Sequence, residues 1–228
     1  LGLIGGSIAK AIPRYYPDYE LLAFDKNRET LALAVQEGTI HTSCSSIDDN
    51  FKGCTYIFLC APVAYNTAYL PQLKDLMDSG CILTDVGSVK TSIHKEVISL
   101  GMEESFIGGH PMAGSEKSGF SSSKAHLIEN AYYILTPSAK VPEEKVTAFR
   151  DFISSLKAIP VILDYKKHDY ITGTISHLPH IIASTLVNFV RDTDSEDELM
   201  KALAAGGFKD ITRIASSSPV MWQQICLK

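Results

Sequence analysis

A histidine held between two glycines and a proline, His110 in GGHPMAGSEKSG (residues 108–119), is a proton-transfer group with no obvious packing purpose. Glycines let backbone approach a ligand closely, and Pro111 fixes the turn just after the imidazole. A neutral imidazole titrating near about 6.5 is suited to take a proton at neutral pH. His110 is therefore expected on a strand-to-loop edge. A second histidine group lies in HDYITGTISHLPH (residues 168–180), where His177 and His180 are three apart and share a helix face. They have no third partner at a zinc-type spacing, so a polar wall of a site, or satisfied helix histidines, are the readings that stand. In AAGGFKDITRIA (residues 204–215), Lys209 and Arg213 are four apart and can point the same way. Such a cationic pair is either a solvated helix face or a grip for a carboxylate, which arginine binds bidentately.

The elements that would position these groups begin with LGLIGGSIAKAI, a glycine turn feeding a helix. Gly2 and Gly5 have the spacing of the second and third glycines of GxGxxG, so the first glycine and its strand are expected before Leu1. ELLAFD (residues 20–25) reads as a short strand ending in an acid, where a dinucleotide-binding unit places the carboxylate for the adenosine ribose. Asp25 otherwise serves as the cap of the next helix, a part Asn27 can play equally well. Arg28 keeps a 2′-phosphate open, so NAD is preferred to NADP without excluding it.

Strands are expected at residues 55–63, 81–86, 132–136 and 159–163, with helical stretches at residues 69–78 and from about Lys90. Alternation of apolar strands with helices predicts an α/β, Rossmann-type, doubly wound, mostly parallel sheet. Ala61-Pro62, Gly87-Ser88 and His110 fall at strand ends, where such sheets bind ligands. From Lys166 onward the chain reads as helices over residues 167–191, 196–204 and 208–215, with another begun by Ser218 and Pro219. Pro179 should perturb the first of these or sit in its first turn. The acidic run Asp192–Glu198 reads as a solvated connection. Two domains are expected, 1–164 and 165–228, the second all-helical and incomplete at its C-terminal end.

The 228 residues, 45% hydrophobic with a formal charge of −5, have ordinary soluble globular composition and give no reason to expect nucleic acid or an anionic membrane as partner. No apolar run reaches the roughly 18–20 residues of a membrane span. Five cysteines without a CxxC pair fit neither a disulfide framework nor a zinc site, and a reducing, cytoplasmic compartment fits best. Cys60 and Cys81 are expected to be buried thiols.

LGLIGGSIA, TDVGSVK, GGHPMAGSEKSG, HDYITGTISHLPH and GGFKDITRIASSSPVMW, in this order, resemble the prephenate/arogenate dehydrogenase family of tyrosine biosynthesis. The resemblance implies a Rossmann domain followed by a helical domain that forms a homodimer. It implies oxidative decarboxylation of prephenate to 4-hydroxyphenylpyruvate, with NAD, or less readily NADP, as oxidant and no metal. On this sequence His110 would draw the proton from the substrate's ring hydroxyl, and Ser88 would lie near the same hydroxyl. Arg213 would clamp a carboxylate with help from Lys209, and His177 and His180 would line the pocket. Gly2, Gly5, Gly6, Ser7 and the helix N-terminus would cradle the pyrophosphate, and Asp25 would hold the ribose. Arogenate is the alternative substrate. A β-hydroxyacid dehydrogenase on the same scaffold would place a catalytic lysine in the helical part, and GGHPMAG argues against it. A non-catalytic dinucleotide sensor would need neither His110 nor the cationic pair.

Overall fold

The computed structural model describes residues 1–115 and 117–227, so Glu116 of the histidine motif and Lys228 of the helical segment lie outside the described residues. The chain divides into two compact units, Leu1–His168 and Asp169–Lys228.

In the first unit α1 (Leu3–Tyr15) leads into β1 (Leu22–Phe24), α2 (Arg28–Gln36), β2 (Thr42–Cys44), β3 (Tyr56–Leu59), α3 (Val63–Lys74), β4 (Ile82–Asp85) and α4 (Thr91–Leu100). There follow β5 (Ile107–Pro111), β6 (Tyr132–Pro137), α5 (Glu143–Ser155) and β7 (Ile159–Ile162), and α6 (Tyr165–Thr172) begins at the end of the unit. Parallel pairing joins β1 to β2, β3 to β4, and β6 to β7, whereas β5 and β6 are antiparallel. A parallel bridge between Leu83 and Phe106 continues β4 toward β5. A cavity of about 830 Å³ is lined by both β1 and β3.

Alternation along the strands builds the layers. Ile57 and Leu59 of β3 face α3 and α4 through Leu70, Leu73, Ile93 and Val97. Tyr56 and Phe58, one register apart, pack on the opposite face against α1 and α5, where Ile8, Ile12, Phe149, Phe152 and Ile153 are buried. Helices therefore cover both faces at β3, and the strands pair as β1-β2, β3-β4 and β5-β6-β7, mostly parallel, in the doubly wound arrangement expected. Asn27 caps α2, its side chain accepting from the backbone of Glu29 and Thr30.

Two boundaries differ from expectation. The run to Val63 stops as a strand at Leu59, and α3 starts at Val63 instead of near Tyr69. Pro62 stands at its N-cap, and buried Asn66 ties the turn by accepting from Ala61 N at 3.0 Å and donating to Leu59 O at 3.2 Å. β2 was not anticipated, its three residues carrying too little apolar alternation to register.

In the second unit the rest of α6 leads through a π turn (Gly173–His177) into α7 (Leu178–Thr193), α8 (Leu199–Leu203), α9 (Gly206–Thr212) and α10 (Pro219–Cys226). The single helix expected over residues 167–191 is thus interrupted. Pro179 lacks the amide that would bond four residues back, and the wide turn absorbs the defect, Leu178 N donating to Gly173 O. Asp194 caps α8 by accepting from Met200 N and Lys201 N, each at 3.0 Å, so the acidic run is a helix connection. Ser218 caps α10, accepting from Met221 N, with Pro219 in the first turn. Among the described residues no helix is long and apolar enough to cross a membrane.

Candidate active site

The glycine turn divides its labour by position. Gly2 is the N-cap of α1, and a Cβ built there meets nothing within 4 Å. A Cβ on Gly5 would lie 2.7 Å from Cys60 Cβ, so Gly5 is what lets α1 lie against the end of β3. Gly6 faces protein too, with Phe120 and Ser123 at 2.8 Å from its would-be Cβ. Ser7 is fully buried; its hydroxyl donates to Leu3 O at 2.7 Å and accepts from Lys124 N at 3.0 Å. Of the four, Gly2 alone offers open space at the helix N-terminus, and the other three shape the turn from within.

Asp25 follows β1, accepting from Asn27 N at 2.8 Å. Because Asn27 caps α2, Asp25 is released from that role. Gly2, Asp25, Pro62 and Tyr65 all line the cavity, at the carboxyl ends of β1 and β3. A helix N-terminus without a side-chain cap, with an acid at the next strand end, is the kind of place that takes a dinucleotide's pyrophosphate and ribose. Burial pushes the Cys60 thiol up to about 12, with Asp85 adding to the rise. Cys81 is buried, as expected, whereas Cys60 is partly buried.

His110 stands in β5, opposite Ile134 of β6, and is half-buried. A buried ion pair beneath it was not anticipated. Asp85, at the end of β4, accepts from Gly87 N at 2.9 Å and Gly109 N at 3.2 Å, and is paired with Lys90. Lys90 Nζ also donates to Gly109 O at 2.7 Å, and its side chain is fully buried. One carboxylate and one ammonium thus bind the turn carrying Ser88 to the strand carrying His110. Gly109 is required by that clasp, since a Cβ there would lie 2.5 Å from Asp85 O and 3.0 Å from Thr84 Oγ1. Gly108 is likewise closed in, by His94, Lys90 and Thr136. The two glycines therefore serve close approach of protein to protein, where the sequence suggested approach to a ligand.

His110 has a partner the sequence reading did not single out. Its Nδ1 lies 2.8 Å from Nε2 of His168, whose side chain is fully buried in the first turns of α6. His94, on α4, lies deeper, 3.0 Å from Thr136 Oγ1 and stacked on Tyr165 at 4.4 Å between centroids.

In the second unit His180 is occupied on both sides of its ring: Nδ1 is 3.0 Å from Ile214 O, and Nε2 is 3.2 Å from Ser184 Oγ. It stacks on Trp222 with centroids 3.4 Å apart, and His177 meets the same indole edge-on at 5.8 Å. Burial lowers the His180 pKa below its ordinary value, against the opposing pull of the Ile214 carbonyl. His180 holds the backbone next to Arg213, which opens the short 3₁₀ turn after α9. Lys209 and Arg213 are exposed.

Comparison with known proteins places the whole chain. Residues 8–162 match the model for the prephenate dehydrogenase nucleotide-binding domain, and residues 164–228 match that for the prephenate dehydrogenase dimerization domain. The chain belongs to the prephenate dehydrogenase family. A prephenate dehydrogenase of Bacillus subtilis is 40% identical over the full length of this chain, which spans 62% of that relative. A prephenate dehydrogenase from Aquifex aeolicus, solved with hydroxyphenyl propionate and NAD+, matches at a TM-score of 0.92 and 33% identity, covering 99% of this chain and 79% of that one. An arogenate dehydrogenase from Synechocystis matches at 0.86 and 28% identity, over 100% of this chain and 81% of its own.

Proposed function

We propose that this family member is a cytoplasmic, homodimeric prephenate dehydrogenase, oxidising and decarboxylating prephenate to 4-hydroxyphenylpyruvate with NAD. The observation that carries the reading is His110: an imidazole on a clasped strand, its Nδ1 2.8 Å from the buried His168. Domain matches along nearly the entire chain support it, as does the NAD+ named with the Aquifex relative.

Gly2 and the N-terminus of α1 would hold the pyrophosphate, with Gly5, Gly6 and Ser7 keeping that turn in shape. Asp25 would accept from the ribose hydroxyls. Bound NAD supplies the acceptor for the two electrons leaving the substrate's ring carbon. His110 Nε2 takes the proton of the ring hydroxyl as that carbon is oxidised, and Ser88 orients the hydroxyl. Arg213 and Lys209 grip a substrate carboxylate, and orientation of this kind supplies a large part of a rate gain. Loss of CO2 then follows from aromatisation. His177 and His180 support these groups from their stack on Trp222.

Arogenate remains the second reading, favoured by the likeness to the Synechocystis enzyme. The test of the proposed chemistry is His110→Asn. It should lower kcat by about 10²–10⁴-fold, the usual worth of a general base, while the NAD dissociation constant stays within twofold of about its original value. Equal loss of turnover and NAD affinity, or retained turnover, would overturn it.

A further inference from the structure

A neutral imidazole carries one N–H, so one ring nitrogen donates and the other accepts. To take a proton at Nε2, His110 must carry its own on Nδ1, and the hydrogen bond made on that side decides which nitrogen holds it. Nδ1 of His110 is 2.8 Å from His168 Nε2, with the ring centroids 5.1 Å apart and the planes at 67°. His168 is fully buried, so bulk water does not compete for that side of the pair. Both rings stand on fixed backbone. His110 follows Gly109, whose N–H and carbonyl are both held by the Asp85–Lys90 pair. His168 N donates to Asp164 O at 2.8 Å, in a helix turn that Asp164 caps by accepting from Lys166 N and Lys167 N at 2.9 and 3.1 Å.

We infer that His168 is a positioning residue: its Nε2 accepts from His110 Nδ1–H, fixing the tautomer in which His110 Nε2 carries no proton and can take the substrate's. When His110 takes the hydroxyl proton it becomes an imidazolium, and the bond to His168 becomes charge-assisted and stronger. A carboxylate in that place would favour the protonated ring even at rest. A neutral imidazole aligns the base and steadies its charged form without filling it beforehand. The inference deepens the proposed function and rests on His110 being its base.

Long-range 1H–15N correlation spectra of the histidine rings test it without turnover. The native protein should show His110 protonated at Nδ1 and bare at Nε2. His168→Phe, which fills the space without an acceptor, should move the proton to Nε2 and cut kcat about a hundredfold, with KM for both substrates little changed. His168→Gln, whose side-chain carbonyl can accept, should restore Nδ1–H and much of kcat. A native His110 protonated at Nε2 would overturn the inference. So would a tautomer and kcat untouched in His168→Phe, or a loss in both variants carried only by KM or unfolding. If the tautomer follows prediction while His110→Asn retains turnover, the pairing stands and the base assignment falls.

Discussion

His110 and Asp25 are the groups of the first unit on which the proposed chemistry rests, and each is placed by a neighbour. Asn27 takes over the capping of α2 and leaves the Asp25 carboxylate at the end of β1. Asp25→Ala should therefore raise the NAD KM roughly tenfold, the worth of a charge-assisted hydrogen bond, and spare kcat. An unchanged NAD KM in steady-state assays would remove Asp25 from the cofactor site. Arg213→Ala should raise the substrate KM far more than the cofactor KM; loss of the folded state in circular dichroism would make the arginine structural instead. At this scale the sequence placed His110 at a strand's end and Asp25 just after a strand, because each stands in a short motif whose backbone geometry is local. His168 escaped because its partner is 58 residues away. Lys90 escaped because nothing in GSVK shows that its charge is fully buried.

Between elements, the buried Asp85–Lys90 pair joins the end of β4 to β5. Removing one partner of such a pair leaves an uncompensated charge, so Lys90→Met should cost about 3–5 kcal/mol in denaturant unfolding. A loss below about 1 kcal/mol would mean that the pair is solvated in solution. The tie between α7 and the turn after α9 has a pH dependence of definite sign. His180 titrates below its ordinary value of 6.5 when folded, so the fold favours the neutral ring. Its contribution is complete above 6.5 and is lost as the pH falls through the lowered folded value. Melting temperature should drop between neutral pH and pH about 5, and His180→Gln should flatten that slope. An unaltered slope would contradict the assignment. Most of the strands and the change from β to helix were legible from apolar runs, and Pro179 announced a perturbed helix, whereas the early start of α3 after Pro62 and the π turn before Pro179 were not. There proline chemistry and the Asn66 side chain override the pattern of apolar residues.

For the whole molecule, the second unit presents large apolar side chains to solvent, among them Phe189 on α7 at 63% exposure and Leu203 on α8 at 77%. Apolar surface of this kind marks an interaction face, and its residues match a dimerization domain. Phe189→Glu combined with Leu203→Glu should convert a dimer to a monomer in light scattering; an unchanged mass would place the dimer contact elsewhere. The central claim is the reaction itself. The measurement that tests it most directly is nicotinamide reduction by the purified protein, offered prephenate and arogenate, each with NAD and with NADP. Rapid reduction with prephenate and NAD, weaker with the other three combinations, is the predicted result. Absence of reduction in all four, from folded protein that binds NAD, would contradict it.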